Sequence, residues 1–165
     1  MNPDISDGRG FVLFRLGGEQ YGVPIESVSS VIRYEVSTPV PRTPDAVLGV
    51  INLRGRVIPV LDLGQRFGQT SFSPGAYSRI IVAEGSAGGI GIAVDAATEV
   101  ATFSAAEIKP VPDGVVSPET SRVFSGVVER AGSLVILVDI DEAMPRFGAS
   151  TLAVSDQIEE VGSDV

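Results

Sequence analysis

The sequence predicts a mainly β protein built as two five-stranded units, and three observations carry that reading. The first is a duplication. The run Gly49-Val50-Ile51-Asn52-Leu53-Arg54-Gly55-Arg56-Val57-Ile58-Pro59-Val60-Leu61-Asp62 recurs as Gly126-Val127-Val128-Glu129-Arg130-Ala131-Gly132-Ser133-Leu134-Val135-Ile136-Leu137-Val138-Asp139, 77 residues on. Upstream, Gly22-Val23-Pro24-Ile25-Glu26 matches Gly91-Ile92-Ala93-Val94-Asp95 at an offset of 69. A supersecondary unit written twice implies two similar subdomains. The second observation is the string of short apolar, β-branched runs, about ten in all, at the spacing of antiparallel barrels and sandwiches. The third is punctuation: 19 Gly and 11 Pro among 165 residues suit short strands joined by tight turns.

Taken in order, residues 1–10 read as a flexible N-terminal tail. Phe11 to Leu16 is a strand, Gly17-Gly18-Glu19-Gln20 its turn and Tyr21 to Ile25 the returning strand. Val28, Val31 and Ile32 fit either a helical turn or an irregular strand. Thr43-Pro44-Asp45 predicts a short helix, with Thr as N-cap and Pro in the first turn, ended by Gly49. Val50-Ile51 and Val57 to Leu61 are strands around a turn in which Gly55 supplies a positive φ. Pro59 cannot donate to a ladder, so this strand has a free edge or a bulge there. Gln69 to Gly75 reads as a polar connector. Ser78 to Ala83 and Ile90 to Val94 form the next hairpin, Ser104-Ala105-Ala106-Glu107 a capping box opening a short helix, and Pro110 to Glu119 a Pro-rich loop. Val123 to Val128 and Leu134 to Ile140 close the second unit. The units span about 11–68 and 76–147, and 148–165 reads as a flexible acidic tail with one helical turn near Gln157-Ile158-Glu159.

Composition excludes several function classes. With no Cys and no His, there is no thiolate nucleophile, no disulfide and no imidazole base or ligand, so no metal and no cofactor site is expected. Net charge is −9 and Lys109 is the only lysine, so no basic stripe invites nucleic acid or an anionic membrane surface. The N-terminus lacks the basic start and apolar run of a signal peptide, and no apolar stretch approaches the ~20 residues of a bilayer span. A cytoplasmic protein, without direct membrane insertion, is expected.

The glycine run Gly85 to Gly91 continues as a strand instead of opening a helix, so it reads as a hairpin turn and not a dinucleotide loop. Asp62 and Asp139 occupy equivalent strand ends, where an N-cap role explains both without carboxylate hydrolase chemistry. No serine has a partner base. The chain is therefore read as not an enzyme. Low aromatic content argues against a β-barrel module that stacks bases. Arg54 stands out because the repeats disagree there. The second copy has Glu129-Arg130-Ala131 in place of Asn52-Leu53-Arg54, so the hairpin does not need that triplet to fold. An exposed arginine with an apolar neighbour is typical of binding hot spots.

The segments Phe11-Val12-Leu13-Phe14, Tyr21-Gly22-Val23, Gly49 to Gly55 and Ile58 to Leu63, with Ile90 to Val100, Ser104 to Pro110 and Leu134 to Ile140, resemble the CheW family of chemotaxis coupling proteins. The resemblance covers roughly residues 10 to 147. It implies two SH3-like five-stranded β-barrels with a shared hydrophobic interface and a few short helices. It implies a non-catalytic adaptor that joins the regulatory domain of a CheA-type histidine kinase to the cytoplasmic tips of methyl-accepting chemoreceptors in membrane-associated arrays. By resemblance Val28 and Arg54 face the receptor tip, Asn52, Leu53 and Gly55 shape that loop, and Gly49 and Val50 match a stretch associated with kinase contact. The protein itself is expected to be a monomer in dilute solution. Alternatives are a coupling domain of another two-component kinase pathway, such as surface motility, or a generic peptide-binding barrel. With Met1 at one end and a short tail at the other, a standalone adaptor is expected over a module of a longer kinase. One departure stands out: many relatives have Glu where this chain has Ser30, whereas Glu99 holds the aligned place in the second repeat. Arg54 must then use another acid, such as Glu26 or Glu35, or be less fixed.

Overall fold

Alternation of apolar side chains along each strand decides the architecture. In the computed structural model, which describes residues 8–68, 71–112 and 114–144, ten strands form: β1 (Arg9–Leu16), β2 (Glu19–Pro24), β3 (Val28–Arg33), β4 (Val47–Leu53), β5 (Arg56–Leu61), β6 (Arg79–Gly85), β7 (Gly88–Val94), β8 (Ala96–Phe103), β9 (Phe124–Arg130) and β10 (Ser133–Val138). Three short helices join them: α1 (Leu63–Arg66), α2 (Pro118–Val123) and α3 (Ile140–Ala143). The strands pair into two five-stranded sheets. Sheet A has the order β8-β1-β2-β10-β9 and sheet B the order β3-β6-β7-β5-β4.

Neither sheet is one contiguous repeat. The hairpin β1–β2 of the first repeat is completed by β8, β9 and β10 of the second, and the hairpin β6–β7 of the second is completed by β3, β4 and β5 of the first. The exchange is reciprocal, and each half of it runs through a parallel contact: Val60 and Leu61 against Gly91 and Ile92, and Val135 to Leu137 against Gln20 to Gly22. The strands of the two sequence units are thus interlaced.

Burial on both faces holds the exchange together. On β1, Phe11 and Leu13 enter the interior of sheet A with Ala101, Phe103, Val128, Val135 and Leu137, while Val12, Phe14 and Leu16 face the other sheet. On β6, Ile80 and Val82 enter the interior of sheet B, and Ile81 and Ala83 face sheet A. The cluster between the sheets is the largest, and the aromatic series Phe14–Tyr21–Phe67–Phe124 runs through it with ring centroids 4.9–5.9 Å apart. Burying each such side chain stabilises the fold by roughly 1.5–3 kcal/mol.

Several local readings change. β1 begins at Arg9, inside the supposed tail, and residues 1–7 and 148–165 lie outside the described residues. Val28 to Ile32 lie in a strand with a register shift between Val28 and Ser30, so the irregular-strand reading holds and the helical turn comes before it, at Ile25–Ser27. The helix expected from Thr43 to Gly49 is a single turn, because Ala46 is buried and its carbonyl is captured by the Asp62 N–H at 2.7 Å. Ser104 to Glu107 is likewise one turn, in which the Glu107 carboxylate accepts the Ser104 N–H at 2.9 Å. The Pro-rich loop contains α2, with Ser117 as N-cap. β8 is an additional edge strand whose outward residues are exposed. The connector is packed: Phe72 donates its N–H to Asp62 at 2.6 Å and its ring lies 5.1 Å from that of Tyr34. Pro59 lies in an inner strand, but pairing of β5 with β7 starts only at Val60, so its missing donor is not needed.

Candidate functional site

The β4–β5 turn is a two-residue hairpin closed by the pair Leu53–Arg56. Both central residues have positive φ, 53° at Arg54 and 86° at Gly55, as a type I′ turn requires. Gly55 adopts this freely, whereas Arg54 does so against the steric preference of an L-residue. Asn52 compensates by accepting the Gly55 N–H on its side-chain oxygen at 2.9 Å. The equivalent β9–β10 turn has the same geometry, with Ala131 at 51° and Gly132 at 80°. The backbone of the two loops is therefore conserved within the molecule, and only the side chains differ.

Arg54 projects from this turn into solvent and makes no hydrogen bond or ion pair among the described residues. Neither acid named as a substitute partner engages it: Glu26 lies 3.9 Å from Arg9, and Glu35 forms no ion pair with it. The nearby Glu84 carboxylate is taken by Arg56 in a two-pronged contact at 3.0 and 3.1 Å. That pair crosses β7 above Gly89, where there is no side chain in the way. The hydrogen bond to Glu84, and then its negative charge, raise the Arg56 pKa above its ordinary value, so Arg56 stays charged. This ion pair was not anticipated from the sequence; the placement of an Arg directly after the turn was the available sign, and nothing marked Glu84.

Val28 begins β3, pairs with Ala83 and packs partly buried on the core between the sheets. Since Glu84 follows Ala83 and holds Arg56, Val28 and the Asn52–Gly55 turn share one end of sheet B. Leu53 is half-buried against the interior of sheet B, which includes Ile32 of β3. Val28 and the Asn52–Gly55 turn thus lie at the same end of sheet B, with Val28 packed toward the core between the sheets and Leu53 toward the interior of sheet B.

Gly49 and Val50 lie apart from the turn. Gly49 is buried at a bulge, with φ 154°, and a Cβ there would collide with the Thr38 backbone carbonyl. Val50 is bridged to Thr38 by backbone hydrogen bonds of 2.8 and 2.9 Å. These two residues hold the Thr38 segment against the edge of β4.

Asp62 and Asp139 are N-caps, accepting the Gln65 and Glu142 N–H groups at 3.2 Å. Asp62 also accepts the Phe72 N–H, which anchors the connector. Among the described residues no group of three or more acidic, His or Cys side chains is placed to hold a metal. No helix among them is long and apolar enough to cross a membrane. What the site offers is contact chemistry: shape, one free charge and apolar surface.

Comparison with known proteins bears on the family and the fold. The model of the CheW-like domain matches residues 10–147. The chain is 36% identical over 139 residues to the chemotaxis protein CheW of Rhizobium meliloti, covering 84% of this chain and 88% of that one. It is 30% identical over 157 residues to CheW of Bacillus subtilis, covering 95% and 99%, and 33% identical over 123 residues to protein FrzA of Myxococcus xanthus, covering 74% and 76%. Its fold is similar to the crystal structure of the scaffolding protein TtCheW from Thermoanaerobacter tengcongensis, with a TM-score of 0.77 at 31% identity over 85% of this chain and 90% of that one. On the match to nearly the whole described fold, this chain belongs to the CheW-like family, whose members are non-catalytic scaffold and adaptor proteins of chemotaxis.

Proposed function

We propose that the protein couples the cytoplasmic tip of a methyl-accepting chemoreceptor to the regulatory domain of a CheA-type histidine kinase, working in the cytoplasm at membrane-associated receptor arrays. The observation that carries the reading is the Asn52–Gly55 turn: an exposed, unpaired Arg54 held in a strained conformation by a dedicated side-chain hydrogen bond. The strained backbone recurs at Ala131 and serves the hairpin; what the first copy alone has is an exposed arginine that no described residue engages. Val28 and Leu53 supply the apolar contact beside it, and the Gly49–Val50 bulge belongs to the separate face assigned to the kinase domain.

The test is a three-way co-sedimentation with the kinase regulatory domain and a chemoreceptor tip from the same source. Kinase recruitment to the tip should depend on this chain. Arg54→Glu should keep the fold and weaken tip binding by about 2 kcal/mol or more, the hot-spot range. Normal tip affinity in a folded Arg54→Glu protein would remove the turn from the receptor face.

A further inference from the structure

The last described helix lies at the Arg54 end of sheet B. α3 is tied to the β6–β7 turn, where the Asp141 carboxylate accepts the Ser86 N–H at 2.7 Å and the Ser86 hydroxyl at 3.2 Å. Two residues before Ser86, Glu84 crosses β7 to hold Arg56, and Arg56 is two residues from Arg54. Arg9 shares a cleft with Glu84 and Asp141 at this end. Arg9 faces Glu26 and Arg56 faces Glu84, while Arg54 faces no acid among the described residues. The repeat gives the direction in which the chain continues. After α1 the connector passes the β1–β2 turn and shares a cleft with Leu16 and Gly17. The offset of 69 carries Leu16 and Gly17 onto Gly85 and Ser86, and the offset of 77 carries α1 onto α3 and residues 71–78 onto 148–155. A chain that follows α3 as the connector follows α1 runs past the β6–β7 turn, toward Arg56 and Arg54. Residues 148–165 lie outside the described residues, and their sequence suits that neighbourhood. They carry Asp156, Glu159, Glu160 and Asp164 with no cation, interleaved with Leu152, Val154, Ile158 and Val161.

From this we infer that the acidic segment 148–165 docks back on its own chain at the Asn52–Gly55 turn, with its carboxylates toward Arg54 and its apolar residues on half-buried Leu53, and competes there with any partner. Residues 145–165 span about 70 Å when extended, so reach does not limit the contact. The tether holds the carboxylates near Arg54 at an effective concentration on the order of a millimolar, so a contact too weak for a separate peptide still occupies the turn. An attraction between exposed charges is screened by salt. The docking itself does not depend on the receptor-tip reading. Its consequence rests on that reading: a tip that uses the turn displaces the tail first, and binds more weakly than it would to a bare turn.

The chain has no cysteine, so Ser163→Cys provides one site for a nitroxide spin label on the full-length protein. Broadening of backbone amide signals then reports what the tail approaches. It is expected at Asn52 to Arg56 and at Gly85 and Ser86, is expected to fall at high salt, and should disappear in Arg54→Gln. The combined tail variant Asp156→Asn, Glu159→Gln, Glu160→Gln and Asp164→Asn is expected to remove it as well, which keeps the test decisive if Arg54→Gln fails to fold. No broadening at the turn, or broadening indifferent to these changes, overturns the docking. Broadening that appears only between a spin-labelled chain and a second, isotope-labelled one means that the tail engages another copy, and overturns it too. Binding of a chemoreceptor tip from the same source is then compared between the wild type and the tail variant, which is expected to bind about fivefold tighter. Docking with equal tip affinity would keep the tail on the turn and remove the turn from the receptor face. Absence of docking, with tip binding that still depends on Arg54, would do the reverse.

Discussion

Sheets A and B share strand order, turn geometry and capping, yet they spend their ion pairs in different places. Sheet A joins its two edge strands with Glu99 and Arg130. Sheet B instead ties β5 to β6 across its open end with Arg56 and Glu84, and the matching positions in sheet A, Ser133 and Arg15, form no such pair. The difference teaches where to look for function in a duplicated scaffold. Backbone features present twice, such as the paired positive-φ turns and the aspartate caps, are what the fold needs. A charge left unpaired in one copy alone is not.

The strongest way to break the comparison is to cut the chain. Because each sheet takes strands from both repeats, fragments 1–75 and 76–165 should each be unfolded alone and should recover cooperative melting when mixed. Independent folding of either fragment, seen by circular dichroism, would refute the reciprocal exchange. A smaller effect is expected from the equivalent glycines that admit a bridging segment to each sheet edge. Gly49→Ala should destabilise by about 2–4 kcal/mol, since its Cβ meets the Thr38 carbonyl. Gly126→Ala should cost less, about 1–3 kcal/mol, because its φ is not positive, the facing Lys109 carbonyl stands farther off at 3.0 Å, and its nearest obstacle, an Ile108 methyl at 2.7 Å, can turn aside. Equal losses in chemical denaturation would mean that the positive φ and the closer carbonyl at Gly49 add nothing.

The caps should separate the repeats further. Asp62→Ala removes the partner of both Gln65 and Phe72, and should cost about 2–3 kcal/mol, whereas Asp139→Ala loses one cap hydrogen bond and should cost about 1 kcal/mol. The smallest effect sharpens the comparison most. Arg54→Asn and Ala131→Asn each place a residue tolerant of positive φ in the same turn position. Each should raise stability by about 0.5–1 kcal/mol, and only Arg54→Asn should weaken tip binding. Loss of stability in Arg54→Asn would show that the arginine is held by the fold after all.

Much of this was legible in the sequence, because it depended on period and repeat. Alternation along Phe11 to Leu16, the Gly55 and Gly132 turns and the aspartate caps all follow from local chemistry. Two similar triplets diverged for a non-local reason. Thr43-Pro44-Asp45 reads as a helix start and Ser117-Pro118-Glu119 as part of a Pro-rich loop, yet only the second opens a helix. There Val123 anchors the last turn in the core, whereas Ala46 is drawn into a hydrogen bond with Asp62 before a helix can propagate. β8 was missed because its residues from Ala97 to Val100 face solvent and show no apolar alternation; its register with β3 at the offset of 69 was the available sign. At the site, the odd triplet at Asn52 to Arg54 was visible from the repeat. The Arg56–Glu84 pair was not, since it joins two strands that are neighbours only after a third is inserted between them.

The interlaced strands also bear on how such a molecule could carry one asymmetric loop. A polypeptide consisting of a single repeat would own a hairpin and the completing strands for some other hairpin, never its own. It would fold only as a two-fold dimer, with stability set by its concentration and with every loop present twice. Joining two copies through the connector at residues 71–78 replaces that concentration with a high and constant effective one. It also releases the copies from identity. A symmetric dimer that gained an arginine at one turn would gain it at both and would lose Glu99 and Ser30 as distinct positions. In the fused chain one copy can keep its arginine paired while its twin leaves one free for a second protein.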